Sequence, residues 1–215
     1  MYLPAHHRVD DIGQMRDLIR SRPFATLVSD GDDGLIATHL PTVLKADAGS
    51  HGVIECHVAR PNSHWKHFSQ PRDALMIFQG VEGYITPSWY ATKAATGKVV
   101  PTWNYAAVHA YGRATVVDAL DLARHVKELT DQFERPLAKP WAVSDAPDSY
   151  IEVMLRGIVG LRFEITRLEG KWKMSQNRDL ADMHGVVAGL TARDGPHDQA
   201  IAAAVQDYLV AKEKL

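Results

Sequence analysis

Hydrophobic and polar positions change period along this chain, and the changes mark out its elements. Ile12, Met15, Leu18 and Ile19 recur at helical spacing behind Asp10 and Asp11, either of which can cap a short helix reaching Arg22 and stopped by Pro23. Phe24 to Ser29 is an apolar run that predicts a buried strand. Asp30-Gly31-Asp32-Asp33-Gly34 reads as a tight turn, since Gly and Asp both tolerate positive φ. Leu35 to Leu44, interrupted by Pro41, completes a β-hairpin, and Gly52 to Val58 is a further strand. Ala74 to Gln79 is apolar on both faces and predicts a central strand. Gly80 and Gly83 then bracket a turn before a strand over Gly83 to Pro87.

Ala91 to Lys98 is small and polar and reads as a mobile loop. It leads into a strand that runs through Tyr105 and His109 to Val117. Asp118 caps an amphipathic helix reaching about Phe133, with Leu122, Val126, Leu129 and Phe133 on its buried face. Tyr150 to Arg156 supplies one or two helical turns. Gly157 to Leu168 alternates Leu161, Phe163 and Ile165 against Arg162, Glu164 and Thr166, and predicts a last strand that ends in a turn at Glu169-Gly170. Two helices follow, about 179–190 and 197–212, split by Asp194-Gly195-Pro196. Short strands at regular spacing with hairpin turns point to a mostly antiparallel barrel.

Two stretches carry candidate chemistry. In Ala59 to Ser69, Pro61 suits a first helical turn, whose free N–H groups beside Arg60, Asn62, Ser63 and His64 suit a phosphate. The same pattern also describes a capped connecting helix with a solvated basic edge. His64 and His67 are three apart, but no third metal ligand follows at a typical spacing. In the second stretch, Trp103, Asn104, Tyr105 and His109 combine aromatic faces with an amide and an imidazole. That set suits a wall that stacks on a flat ligand and hydrogen-bonds its edge, and it equally suits a strand entering a barrel core.

Composition narrows these readings. The 215 residues fit one large or two small domains, and 46% hydrophobic with 23% charged residues is ordinary for a soluble globular chain. A net charge of -2 gives no basic footprint for nucleic acid. The last helix carries Asp198, Gln199, Gln206 and Asp207, with lysines only at its tail, which argues against a DNA-reading helix. Cys56 is the single cysteine and sits in an apolar run, so it reads as an inert buried thiol; a cytoplasmic location fits. No signal peptide and no membrane-spanning segment is evident. Nucleotide-binding glycine loops, zinc helices and nucleophile elbows are absent, and carboxylates are scattered. A bound cofactor is therefore the expected carrier of any chemistry.

Val100-Pro101-Thr102-Trp103-Asn104-Tyr105 followed by Val108-His109-Ala110-Tyr111-Gly112 resembles the signature of the PaiB family of FMN-binding negative transcriptional regulators. Met1-Tyr2-Leu3-Pro4, Thr38-His39-Leu40-Pro41, Ala59 to Trp65, Ile85 to Tyr90 and Lys173 to Arg178 support it in the same order. One departure is Ser63-His64, where the family more often has Asn-Pro. The resemblance implies a mainly β, α+β fold: a six- to seven-stranded antiparallel split β-barrel over residues 1–178, with residues 179–215 a helical extension of the same domain packed outside it. It also implies a cytoplasmic homodimeric flavoprotein with FMN at the subunit interface. In that reading Arg60, Asn62, Ser63 and His64 meet the phosphate, and Thr38 and His39 meet the flavin or its ribityl chain. Trp103, Asn104, Tyr105 and His109 line the site, and Gln176 and Arg178 are further contacts. The implied function is repression of transcription, with DNA as a partner through the resemblance alone. The alternative is a flavin-dependent reductase or oxidase of a small molecule using NAD(P)H.

Overall fold

Inward residues Ala25, Leu27 and Ser29 alternate with more open neighbours, and this period of two makes a strand of Phe24–Gly31. The same logic and the helical stripes set the remaining elements of the computed structural model, which describes residues 1–31 and 34–214. In chain order they are β1 (Arg8–Val9), α1 (Ile12–Ser21), β2 (Phe24–Gly31), β3 (Gly34–Lys45), β4 (Val53–Ala59), β5 (Arg72–Ile85), α2 (Ala91–Thr96), β6 (Thr102–Val116), α3 (Ala119–Glu134), α4 (Asp148–Arg156), β7 (Ile158–Lys173), α5 (Leu180–Arg193) and α6 (Asp198–Glu213). The seven strands follow the order β1-β7-β4-β3-β2-β5-β6, and β7 also pairs with β6, which closes the six strands from β7 to β6 into a ring with β1 appended to β7. The registered ladders are antiparallel. This is the expected antiparallel barrel with flanking helices. The expected turn at residues 30–34 includes Asp32 and Asp33, which lie outside the described residues.

The chain forms two compact units. One comprises Ile12–Phe78 and His109–Leu168. In it Leu27 lies opposite Thr38, and Cys56 sits between Thr42 and Leu161. Leu27, Leu40, Ile54, Phe68 and Phe163 are buried in its core. Burial pushes the Cys56 thiol up to about 12, so the expected inert thiol is what the fold contains. Asp118 caps α3 by accepting the Asp121 N–H at 2.9 Å. The stripe that α3 buries is Leu122 and His125, whereas Phe133 is 49% exposed near the helix end. The imidazole takes the inward place because His57 of β4 meets it, ring nitrogen to ring nitrogen, at 3.0 Å. Phe24 is likewise exposed, at the outward start of β2.

The other unit comprises Met1–Asp11, Gln79–Val108 and Glu169–Leu215. Its helices α5 and α6 pack through Met183, Val186, Leu190, Ile201, Val205 and Leu209, all buried. Gly185 and Gly189, one helical turn apart, admit the Pro87–Trp89 turn. A Cβ at Gly185 would lie 1.9 Å from the Trp89 carbonyl oxygen, and one at Gly189 would lie 2.2 Å from the Trp89 ring. Arg193 grips Asp198 through two nitrogens, and the Gly195 N–H donates to the same carboxylate at 2.8 Å, which fixes the corner between the helices. No helix among the described residues is long and apolar enough to cross a membrane.

Three sequence expectations change here. The turn at Gly80 and Gly83 is continuous strand. Gly83 is small because α6 approaches it, with a built Cβ only 2.7 Å from Ile201 Cδ1. The loop at 91–98 is α2, ended by Gly97 at φ 66°. The turn at Glu169-Gly170 is also strand, because β1 pairs there, Val9 opposite Gly170 and Arg8 opposite Lys171.

Candidate functional site

The segment after β4 is a 3-10 helix over Ser63–Phe68 rather than an α-helix beginning at Pro61. Asn62 is its cap: Asn62 Oδ1 accepts the His64 N–H at 3.0 Å. That bond takes up one of the amides expected to face a phosphate. Asn62 Nδ2 donates to Thr38 Oγ1 at 3.2 Å, and Thr38 Oγ1 meets His64 Nδ1 at 2.8 Å. His64 Nε2 meets Ser29 Oγ at 2.9 Å, and Ser29 Oγ meets His67 Nδ1 at 3.0 Å. A neutral His64 satisfies the whole series in either tautomer. In one of the two arrangements the Thr38 hydroxyl donates to Nδ1 of a neutral His64, Nε2–H donates to Ser29, and the Ser29 hydroxyl donates to His67. Neutral His64 is what burial dictates: the ring has no exposed surface, and its pKa falls to about 4 through burial and then the neighbouring His67.

Thr38, Asn62 and His64 are thus brought together as an internal brace, and both His64 nitrogens are engaged. His39 points to the other strand face, stacked beside Phe24 at 6.3 Å between ring centroids. Arg60 is committed to backbone, with Nε donating to the Arg156 carbonyl at 2.6 Å and Nη2 to the Ile158 carbonyl at 2.9 Å. Ser63 opens onto a groove of about 560 Å³ that Lys66, His67, Ser69 and Arg72 also line. Among the described residues its lining holds two cations and two hydroxyls but no carboxylate. The sequence reading missed Lys66 and Arg72; two cations flanking a run of Ser, Gln and Pro were the available signal.

In the other unit, strand alternation separates the expected wall. Asn104 is fully buried, and its Nδ2 donates to Ser175 Oγ at 3.0 Å. Trp103 and Tyr105 occupy the opposite face. Trp103 is 48% exposed, its indole N–H meets the Glu82 carboxylate, and its ring stands edge-on to Tyr84 at 6.1 Å. Lys171 Nζ lies 5.3 Å from the Tyr105 ring centroid and donates to the Tyr2 carbonyl at 3.0 Å. Gln176 braces its own loop, accepting the Met174 N–H at 2.7 Å and donating to the Trp172 carbonyl. Arg178 lies over the Tyr90 ring at 4.5 Å. Burial and then Lys171 and Arg178 push the Lys173 ammonium below its usual range, so these cations form one electropositive group. His109, in the first-described unit, is half-buried beside Tyr111 at 6.2 Å, and no hydrogen bond reaches its buried Nδ1.

Burial lowers the pKa of five histidines, His7, His57, His64, His109 and His125, and takes His7, His64 and His125 to about 4. Unfolding returns them to about 6.5, so the unfolded chain binds more protons between those values. Stability is therefore expected to be full above pH ~6.5 and to fall as pH drops through about 4, by roughly 1–3 kcal/mol per imidazole. Urea midpoints measured from pH 7 to pH 5, above most carboxylate titration, check this; a flat profile would contradict it.

Residues 1–167 match the family model described as "Putative FMN-binding domain". The chain is 31% identical to the protease synthase and sporulation protein PAI 2 of Bacillus subtilis, over 97% of this chain and 98% of that protein. It is 35% identical to protein AN0679 of Emericella nidulans, over 100% of both chains. Among solved structures, the FAD and heme binding protein of Mycobacterium smegmatis has a TM-score of 0.58 at 14% identity, covering 78% of this chain and 73% of that one. Protein Rv2991 of Mycobacterium tuberculosis has a TM-score of 0.56 at 14% identity, covering 83% and 94%. These two likenesses establish the split-barrel fold, and the sequence matches establish the family. The chain belongs to the PaiB-type family of FMN-binding domains, and its cofactor is FMN.

Proposed function

We propose that the chain is a homodimeric cytoplasmic FMN protein that acts as a negative regulator of transcription. The observation that carries this reading is the near end-to-end match with the PAI 2 protein, 97% of one chain against 98% of the other. The residues present fit the cofactor. Lys66, Arg72 and Ser63 line a groove with no carboxylate among the described residues, suited to a phosphate monoester. The other unit offers, as a candidate surface of its own, the aromatic faces of Trp103 and Tyr105 and the positive charge of Arg178 and Lys171. Thr38, Asn62 and His64 hold the phosphate segment in place, and Asn104 and Gln176 hold the loop that bears Arg178. FMN, when bound, supplies one- and two-electron redox chemistry.

The test joins cofactor binding to repression. Wild type should be yellow, run as a dimer and repress a reporter. Lys66→Glu with Arg72→Glu should weaken FMN binding by at least about tenfold and relieve repression. A colourless wild type that takes up no FMN, or a reporter indifferent to the wild-type protein, would overturn the reading.

One observation favours a second reading, a flavin-dependent oxidoreductase of a small molecule using NAD(P)H. The exposed surface of α5 and α6 carries His184 paired with Glu213, together with Gln199 and Asp207, and Arg193 is spent on Asp198. That is a poor surface for phosphates. NAD(P)H consumption by the FMN-loaded protein above that of free FMN would support this reading.

A further inference from the structure

A second cavity, of about 500 Å³, lies at the C-terminal end of α4 in the unit formed by Ile12–Phe78 and His109–Leu168. Its body is apolar, built from Trp65, Val117, Leu122, Leu155, Ile158 and Val159. The volume falls in the range of small-molecule sites. Gly160 shapes its floor, because a Cβ there would lie 2.6 Å from Val117 Cγ2 and 3.2 Å from Leu122 Cδ1. The helix beside it is lightly held: no residue of α4 is buried, and Tyr150, Val153 and Met154 are exposed on its outer side.

The rim decides which molecule fits. Arg60 keeps its full charge, since its two partners are neutral carbonyls, and those bonds fix its guanidinium in place. No hydrogen bond or ion pair among the described residues engages the Arg156 guanidinium or the Glu152 carboxylate. Asp118 caps α3, and the positive end of that 16-residue helix offsets its charge. Two arginines and two carboxylates leave the rim formally neutral, but Asp118 is taken up as the α3 cap, so the Arg156 guanidinium and the remaining Arg60 N–H groups are its free donors. We propose that this cavity binds a small amphipathic monocarboxylate, its aromatic or branched body against Leu122, Leu155 and Val159 and its carboxylate at Arg60 and Arg156. The site is separate from the groove assigned to the FMN phosphate.

Calorimetric titration of the FMN-loaded protein with 3-phenylpropionate, 3-phenylpropylamine and 3-phenylpropan-1-ol tests this, because the three probes share one body and differ in the head group. The acid should bind one per chain, at least about tenfold more tightly than the amine or the alcohol. Arg156→Glu, an exposed change, should remove that preference while the flavin absorbance stays constant. Leu155→Trp, which fills the cavity, should abolish binding of the acid. Equal affinity for the three probes, acid binding unaffected by Arg156→Glu, displacement of FMN by the acid, or no heat at millimolar acid would each overturn the proposal.

Discussion

Replacing Gly112 with alanine is expected to destabilise the protein by about 3 kcal/mol, lowering the melting temperature by roughly 6–12 °C. Gly112 lies on β6, where a Cβ would meet the carbonyl oxygen of Glu164 on β7 at 2.1 Å, its carbon at 2.9 Å and Phe163 Cε1 at 2.9 Å. Two of those three atoms are backbone of the neighbouring strand, which no rotamer change can move aside. Overpacking costs typically run about 1–3 kcal/mol, and a backbone obstacle places this change at the upper end. The pairing at stake, β6 with β7, is also the one that closes the six strands from β7 to β6 into a ring. Gly97 provides the control. It has φ 66° and nothing within 4 Å of a built Cβ, so Gly97→Ala costs only the left-handed backbone, about 1 kcal/mol. Thermal unfolding of the two variants side by side separates crowding from backbone freedom. Equal melting temperatures would show that β6 and β7 are not in close contact at Gly112.

Glycine also shows where the sequence stopped being legible. It serves turns, where φ is positive, and close approaches, where a second element needs the space, and composition does not distinguish the two. Gly80, Gly83 and Gly170 looked like turns and lie in strands, Gly83 because Ile201 arrives from 118 residues later. The hairpins, the capped helix at Asp118 and the two C-terminal helices were legible because each rests on local alternation, local caps or a local Gly-Pro break. Phe133 is exposed and His125, which local pattern does not single out, is buried, because a polar ring becomes a core residue only when a partner, here His57, comes to meet it.

The candidate site follows the same division. Asn62, Ser63 and His64 stand out beside a helix start; Asn62 and His64 organise that segment, and Ser63 lines the groove beside it. The bonds that give them their roles come from far along the chain: Ser29 and Thr38 lie 35 and 26 positions before His64, and the carbonyls that hold Arg60 lie 96 and 98 positions after it. Trp103, Asn104 and Tyr105 read as one wall because adjacency in sequence was the only measure available, whereas the strand places the amide on one face and the rings on the other.

His64→Ala is expected to cost about 3–4 kcal/mol, the sum of a cavity and of two hydroxyls left short of a partner. The imidazole has no exposed surface, packs against Phe68 at 5.2 Å between ring centroids, and links Thr38 Oγ1 to Ser29 Oγ across both nitrogens. Its removal breaks the series from Asn62 to His67 at the centre and leaves the segment tied to the hairpin only through Asn62 on Thr38 and His67 on Ser29. His64→Asn keeps a short polar group facing Thr38 and should recover part of the loss. Two readouts go beyond stability. The fall in stability between pH ~6.5 and pH 4 should become shallower in both variants, because one of the imidazoles that must stay neutral is gone. FMN affinity should drop in His64→Ala more than in Asn104→Asp, which strains a brace in the other unit and leaves the phosphate segment intact. An unchanged pH profile in His64→Ala would mean that the imidazole is not held neutral in the native state, and the proton arrangement drawn through Thr38 and Ser29 would then fail with it.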